Sequence, residues 1–236
     1  TAEDVEGQIK RTLVSGLSDA IAESKIPALD LAANYGELGE YAKQAMNPKL
    51  AALGLMLCAK DLGCQVTGIE LSETSHLAAL ANIHRNSLSD RLNSICADLR
   101  NMPADLAGRF HCCVSNPPYF SGGPASQATP TARRDDLCSP EDLFHAAAQV
   151  LQYGGDFYLV HKPEKLAQLI SCGAAVSLEA KNLTLIRHKE GGPIALILLQ
   201  LRKGGKPGLQ ITEHCLFDSL GEPTAYYREV YHIKGD

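Results

Sequence analysis

The tetrapeptide Asn116-Pro117-Pro118-Tyr119 carries the most specific chemical signal in the sequence, and it directly follows a strand predicted over residues 112–115. The exocyclic amine of a purine is a poor nucleophile, because its lone pair is delocalised into the ring. The Asn116 amide oxygen and the Pro117 main-chain carbonyl could both accept hydrogen bonds from such an amine and free its lone pair to attack a methyl group. Two prolines would hold these acceptors in place, and the Tyr119 ring offers a face on which a base can stack. The tetrapeptide therefore predicts methyl transfer to a planar nitrogen, and a rigid proline turn without chemistry is the alternative.

Two acidic residues end two further predicted strands. Glu70 lies at the end of a strand predicted over residues 65–71, and Asp98 ends another over residues 93–98. In open α/β sheets, ligands bind at the edge formed by the carboxyl ends of the strands. A carboxylate at one strand end suits the two hydroxyls of a ribose, and one at the next suits an adenine amino group. Together with Asn116 these residues predict a nucleoside-binding edge, although polar residues also end strands without a binding role.

The elements that would position these residues alternate between helices and strands. Helices are predicted over residues 73–86, 140–151 and 164–172, and strands over residues 65–71, 93–98, 112–115, 155–161, 178–188 and 194–202. Gly191-Gly192-Pro193 separates the last two strands, which predicts an antiparallel hairpin. The apolar spacing before residue 63 predicts helices. The fold class is therefore α/β, with a Rossmann-like, mostly parallel sheet, a C-terminal antiparallel hairpin and an N-terminal helical segment.

The composition excludes several classes of protein. The 236 residues are 45% hydrophobic and 21% charged, and the formal net charge of −5 argues against indiscriminate coating of nucleic acid. No apolar run reaches the roughly 18 residues of a membrane span, and no signal sequence opens the chain. Eight cysteines form no C-x-x-C pair, and the eight histidines form no metal-binding pattern. We therefore expect a cytoplasmic protein with reduced thiols, without a membrane span and without a metal.

Basic residues cluster in the predicted hairpin and after the tetrapeptide. The hairpin supplies four candidate RNA ligands: Arg187, Lys189, Arg202 and Lys203. A basic hairpin beside the active edge would suit RNA phosphates, whose contacts give position rather than sequence. A solvated hairpin face is the alternative. Arg133 and Arg134 follow residues 121–132, a segment rich in Gly, Pro, Ser and Thr that could close over a flipped base.

Over residues 55–232 the chain resembles the small-domain, class I S-adenosylmethionine-dependent methyltransferases, most closely the bacterial branch that methylates adenine N6 in valine tRNA. The stretches that carry the resemblance are Val66-Thr67-Gly68-Ile69-Glu70-Leu71, Ala97-Asp98-Leu99, Ser115-Asn116-Pro117-Pro118-Tyr119-Phe120, Ala132-Arg133-Arg134-Asp135 and residues 154–163. The resemblance implies S-adenosyl-L-methionine as cofactor and tRNA or another RNA as substrate. It implies cofactor binding by Glu70 with Leu71, by Asp98 with Leu99, and by Asn116. It also implies that Asn116, Pro117, Pro118 and Tyr119 hold the target amine.

One part of the family pattern is not evident. A Gly-rich loop should lie about 20 residues before the acidic end of the second strand. The nearest candidate, residues 29–39, contains Asp30, which lies 40 residues before Glu70 (70 − 30), and it has Ala32 and Asn34 where glycines are expected. Gly54 resembles the last glycine of such a loop and is the remaining cofactor-binding candidate.

Residues 12–54 instead resemble part of an SPFH (band-7) domain. We therefore expect a helical segment over residues 1–54, in place of the first strand and Gly-rich loop, and a methyltransferase domain over residues 55–236. Both a join of unrelated sequences near residues 52–55 and a natural insertion in a degenerate loop fit this pattern.

Three functions follow from these observations. The favoured one is N6-adenine methylation of RNA. The second is N5-methylation of a glutamine amide in a protein, because the same turn can hold an amide. The third is a non-catalytic chimera in which cofactor binding is impaired.

Overall fold

The structure is a computed structural model that describes residues 65–117 and 138–230. Its elements, in chain order, are β1 (Val66–Glu70), α1 (Glu73–Arg85), β2 (Leu92–Cys96), β3 (Phe110–Ser115), α2 (Pro140–Val150), β4 (Leu151–His161), α3 (Leu166–Ala175), β5 (Leu178–Lys189), β6 (Ile194–Lys203), β7 (Gln210–Phe217) and α4 (Ala225–Val230). Short 3₁₀ turns cover Leu99–Asn101, Ala104–Leu106 and Pro163–Lys165.

The described strands form two sheets. β1 and β2 pair in parallel, and the second sheet has the order β3-β4-β6-β5-β7. In it β3 is parallel to β4 and β5 is parallel to β7, whereas β6 is antiparallel to both of its neighbours. β3, β4, β5 and β7 therefore run in one direction, and β6 runs in the other. This mixed α/β arrangement confirms the predicted fold class, including the antiparallel hairpin of β5 and β6.

Local sequence signals set the helix starts. Ser72 is the N-cap of α1, and its side chain accepts a hydrogen bond from the Ser75 main-chain N–H. α2 begins with a capping box, in which Ser139 and Asp142 bond reciprocally, and Pro140 occupies its first turn. The cap of α1 thus fixes the start of the helix three residues after Glu70, one of the candidate site residues.

The core of the five-stranded sheet lies under α2 and α3. Phe144 of α2 and Phe157 of β4 are fully buried, with ring centroids 5.3 Å apart in an edge-to-face arrangement. Burial of each such side chain stabilises the fold by about 1.5–3 kcal/mol. Gly173 lets α3 approach the sheet closely, because a Cβ at this position would lie 2.5 Å from a methyl carbon of Leu201. This packing fixes the strands whose ends carry Asn116 and the basic residues.

The chain divides into two compact units. The described part of the first unit comprises residues 65–98 and 228–230, and the second comprises residues 99–227. In the first unit, Ile83 of α1 and Leu92 of β2 form a small buried cluster with Val66 and Leu88. Each unit therefore has its own buried apolar cluster.

The division into two sheets falls where the family element that is not evident in the sequence would be expected. In a doubly wound sheet the first strand lies between the second and the fourth. Within residues 65–117 and 138–230, no strand pairs with both β1 and β3. The predicted N-terminal helical segment, residues 1–54, lies outside the described residues.

Two elements were not predicted from the sequence. The first four residues of β7, residues 210–213, are all exposed, and the strand pairs in parallel on the outer side of β5. The six-residue α4 follows it, and the two are linked by a stacked pair of rings, His214 and Tyr226, with centroids 3.9 Å apart. Because the first half of β7 is exposed, the strand lacks the apolar pattern by which buried strands are recognised.

Candidate functional site

The first unit brings two candidate cofactor ligands to one end of its sheet. β1 and β2 are parallel and in register, with Glu70 paired to Cys96. Asp98 follows two residues later, and the Ala97 N–H donates to the Glu70 main-chain carbonyl at 3.0 Å. Parallel strands end at the same edge, so Glu70 and Asp98 both lie at the carboxyl edge of this ladder. This agrees with the arrangement expected from the sequence.

The turn after β1 shapes that edge. Oε1 of Glu70 accepts a hydrogen bond from the Ser72 N–H at 3.4 Å, which links the strand end to the first turn of α1. Leu71, between them, is 50% exposed. Leu99, which follows Asp98, is half-buried and begins a 3₁₀ turn. Apolar side chains beside carboxylates are what a site for a nucleoside requires, since the base needs contact area and the hydroxyls need acceptors.

The second unit presents Asn116 at the end of β3. Ser115 is the last residue of the strand and pairs with Leu159 of β4, which is fully buried in the core. Asn116 and Pro117 therefore leave a strand that is anchored by its neighbour and by the helices beneath it. Pro118 and Tyr119 of the tetrapeptide lie outside the described residues, as do Gly54, Arg133 and Arg134.

A thiol nucleophile is a poor candidate at this strand end. Cys113, three residues before Asn116, packs against the core, and desolvation raises the pKa of its thiol to about 12. It is therefore protonated at neutral pH, whereas only the thiolate is nucleophilic. Asn116 and the carbonyl groups of the turn therefore remain the candidates for polar chemistry at the end of β3.

The sheet separates the four basic residues of the hairpin into two pairs. Arg187 pairs with Ile194 near the end of β5, whereas Arg202 pairs with Glu179 near the start of β5. Eight residues along a strand correspond to about 26 Å. Arg187 and Lys189 lie at the carboxyl edge, together with Asn116, because β5 runs parallel to β3. Arg202 and Lys203 lie at the opposite edge, so the four do not form the single surface beside the active edge that the sequence suggested.

Three of these four side chains have partners among the described residues. Arg187 forms a two-point contact with Glu213 (2.7 and 3.3 Å), which raises the pKa of the arginine and lowers that of the glutamate. Arg202 forms a two-point contact with Asp156 at 2.8 and 2.9 Å. Lys203 Nζ donates to the carbonyl oxygens of Ala148 and Leu151, at 2.6 and 2.7 Å, at the end of α2.

Two further cations at the carboxyl edge were not among the predicted site residues. Lys162 and Lys165 follow the end of β4, the strand next to β3. The sequence did contain a signal, since lysines directly after a predicted parallel strand must lie at the ligand-binding edge. That these lysines lie next to Asn116, however, follows only once β4 is known to be the neighbour of β3.

Two kinds of site are not found in the described part of the chain. No group of three or more His, Cys, Asp or Glu side chains there could hold a metal ion. Among those same residues, no helix is long and apolar enough to cross a membrane.

Comparison with known proteins relates the two ends of the sequence to different relatives. The model of the SPFH domain-Band 7 family matches residues 1–77. The tRNA1(Val) (adenine(37)-N6)-methyltransferase of Shewanella halifaxensis is 29% identical over 139 residues, which is 58% of this chain and 56% of the relative. The enzyme of the same name from Shewanella sp. strain MR-4 is 28% identical over 188 residues, or 78% of each chain. The chain thus spans little more than half the length of the first of these relatives.

A solved structure supports the fold. A predicted O-methyltransferase from Agrobacterium tumefaciens superposes with a TM-score of 0.64 and 20% identity, covering 79% of this chain and 86% of the other. Both resemblances seen in the sequence are therefore confirmed. The chain has the fold of a class I methyltransferase, its sequence is similar to tRNA1(Val) (adenine(37)-N6)-methyltransferases, and its first 77 residues are similar to SPFH domains.

Proposed function

We propose that this chain is an S-adenosylmethionine-dependent methyltransferase that methylates adenine N6 in RNA, with tRNA as the substrate. The observation that supports this most is the position of Asn116-Pro117 at the carboxyl end of the anchored strand β3. The similarity to relatives named tRNA1(Val) (adenine(37)-N6)-methyltransferase supports the choice of tRNA and of adenine. A tRNA substrate would place the protein in the cytoplasm.

The residues of β1 and β2 fit the nucleoside half of S-adenosylmethionine. Glu70 and Asp98 supply carboxylate acceptors at one edge, for the ribose hydroxyls and the adenine amino group respectively. Leu71 and Leu99 supply apolar surface beside them. Bound there, the cofactor would supply an electrophilic methyl group. The methionine half needs a Gly-rich loop, for which Gly54 is the candidate, just before the proposed 55–236 methyltransferase domain.

Asn116 and Pro117 would act on the target amine. Their carbonyl oxygens accept hydrogen bonds from the two N–H groups of N6. These bonds move the nitrogen from planar toward tetrahedral geometry and localise its lone pair. The lone pair forms the new N–C bond as the methyl group leaves sulfur, and one N–H proton is then lost to solvent. Pro118 would stiffen the turn, and the Tyr119 ring would stack on the flipped base.

The RNA would be held by cations on the same edge as Asn116. Lys189 is exposed and lies at the end of β5, where no carboxylate of the described residues is within ion-pair distance. Arg187 lies beside it, paired to Glu213. We further propose that Arg133 and Arg134, in the segment after the tetrapeptide, also bind the RNA. The contacts of Arg202 and Lys203 instead stabilise the fold.

Substitution of Asn116 tests this function. We expect Asn116→Ala to lower turnover at least about a hundredfold, the scale of losing one preorganised polar group, while cofactor affinity stays nearly unchanged. Turnover is measured by mass spectrometry of methyl transfer to unmodified valine tRNA, and cofactor affinity by calorimetry. Asn93→Ala, at an exposed position in β2, is the matched control and should leave both unchanged.

The outcomes separate the three hypotheses. Loss of turnover together with cofactor binding in Asn116→Ala would make Asn116 a cofactor or folding residue. A wild-type protein that methylates a glutamine-containing peptide but no tRNA would favour the protein glutamine methyltransferase. A wild-type protein that binds no S-adenosylmethionine would be the non-catalytic chimera.

A further inference from the structure

Two lysines stand directly beside the turn that carries Asn116. Lys162 follows the last residue of β4, and Lys165 ends the 3₁₀ turn after it. β4 is the parallel neighbour of β3, with Leu159 opposite Ser115. Adjacent strands are about 4.8 Å apart and each residue advances about 3.3 Å, so the Cα atoms of Lys162 and Asn116 are on the order of 8 Å apart. A lysine side chain spans most of that distance.

The backbone around Lys162 is held in place. His161 is buried, and its Nδ1 accepts the Lys162 main-chain N–H at 2.8 Å. The strand behind it is part of the core, with Leu159 and Val160 both fully buried. The main chain of Lys162 is therefore held in a fixed position at the sheet edge.

The ammonium groups of both lysines lack an anionic partner among the described residues. Lys165 Nζ donates to the neutral amide oxygen of Gln168, at 3.3 Å. The nearby carboxylate of Glu141 is instead engaged by Gln168 and Cys172. Hydrogen bonds from its own main-chain N–H, and then from these two side chains, lower its pKa. Glu164, between the two lysines, is exposed and forms no ion pair with either of them. This differs from Arg187 and Arg202, whose charges are each matched by a carboxylate.

We infer that Lys162 and Lys165 bind the backbone phosphates next to the target nucleotide of the RNA. The inference rests on the proposed function, because it takes the nucleotide at Asn116 as its reference point. Two ammonium groups without a carboxylate partner among the described residues can bind phosphate without reading sequence, and they gain affinity by releasing counterions from the RNA. Ile197 of β6 pairs with both His161 and Leu185, so Lys189 lies about 10 Å across the sheet from Lys162 and about 10 Å further along the strand direction. The three lysines thus form a track along the carboxyl edge.

Removal of these lysines should leave the fold intact. They occupy the N-cap positions of the 3₁₀ turn and of α3, and neither makes a side-chain capping bond. A cation near a helix N-terminus is unfavourable to the helix, because it faces the positive end of the helix dipole. The double substitution Lys162→Ala/Lys165→Ala therefore removes charge without removing a stabilising contact to the backbone.

The test is tRNA binding as a function of salt. Fluorescence anisotropy with unmodified valine tRNA, from about 50 to 200 mM KCl, gives the slope of log K against log[salt] for the wild type and for K162A/K165A. Two lost phosphate contacts should reduce the magnitude of the slope by about 1.4 to 1.8 and weaken binding about tenfold or more at roughly 100 mM. The matched control, Lys181→Ala/Lys206→Ala, removes the same charge near the start of β5, where Lys181 Nζ contacts the Lys206 carbonyl, and should keep the wild-type slope.

The failures of the inference and of the proposed function are distinguishable. Cofactor affinity, measured by calorimetry, should be the same in all three proteins. A wild type that binds and methylates tRNA, with the same salt slope in K162A/K165A as in the control, overturns the inference alone. A wild type that binds no tRNA overturns the proposed function, and the inference falls with it.

Discussion

Lys203 should act on the stability of the fold rather than on RNA. Its Nζ donates to the carbonyls of Ala148 and Leu151, at 2.6 and 2.7 Å, so it caps the C-terminal end of α2 from the neighbouring strand. A hydrogen bond from a charged donor contributes up to about 1.5–3 kcal/mol to the free energy of unfolding. A cation at a helix C-terminus adds about 0.3–1 kcal/mol. The side chain is only partly buried, so water can replace part of what is lost. We therefore expect Lys203→Met, which keeps most of the apolar stem, to lower the free energy of unfolding by about 2 kcal/mol.

The assay compares Lys203→Met with Lys189→Met. Urea unfolding followed by far-UV circular dichroism should show a midpoint lowered by about 0.7–1 M in Lys203→Met, for a slope of roughly 2–3 kcal/mol per M. Lys189 is exposed at the other end of the hairpin, so Lys189→Met should unfold like the wild type. In tRNA binding we expect the opposite order. The salt slope of Lys189→Met should fall by about one phosphate contact, whereas that of Lys203→Met should stay unchanged.

Two results would refute this reasoning. A loss below about 0.5 kcal/mol in Lys203→Met would mean that the two carbonyl contacts are worth no more than a surface interaction. A salt slope reduced as much by Lys203→Met as by Lys189→Met would restore the single basic surface suggested by the sequence.

The remaining predictions concern the cofactor and the core. The chain should bind S-adenosylmethionine at least about tenfold more weakly than a relative with a Gly-rich loop, a loss of about 1.4 kcal/mol in binding free energy. Replacing residues 1–54 with a strand and a Gly-rich loop should restore binding. Calorimetric titrations that give equal micromolar affinities for both proteins would contradict this. Gly173→Ala should lower stability by about 1–3 kcal/mol, because its Cβ would lie 2.7 Å from the Leu178 carbonyl oxygen. Ser171→Ala, at an exposed position of the same helix, is the control, and an equal urea midpoint for both variants would show that α3 does not pack closely there.

Much of the candidate site could be predicted because strand ends are set by local sequence. β1, β2 and β3 were predicted within two residues of their observed limits, and each ends at or within two residues of the polar residue expected there. The ends of parallel strands lie at one edge by geometry, so Glu70 and Asp98 could be placed at the same edge without any knowledge of packing. The Gly-Gly-Pro turn likewise determined the β5–β6 hairpin. Residues 1–54, Pro118, Tyr119, Arg133 and Arg134 remain predictions.

Strand order, and the register that places side chains along the sheet, were decided only by the tertiary structure. Arg187 and Arg202 belong to one basic stretch of the sequence, but the antiparallel return puts them at opposite ends of the sheet. β7 was missed because an exposed edge strand has little apolar pattern, and its partner β5 is chosen by cross-strand contacts such as Thr212 with Thr184, not by local propensity. Lys162 became a candidate only once β4 was known to lie beside β3, since adjacency in a sheet is a long-range property of the whole core.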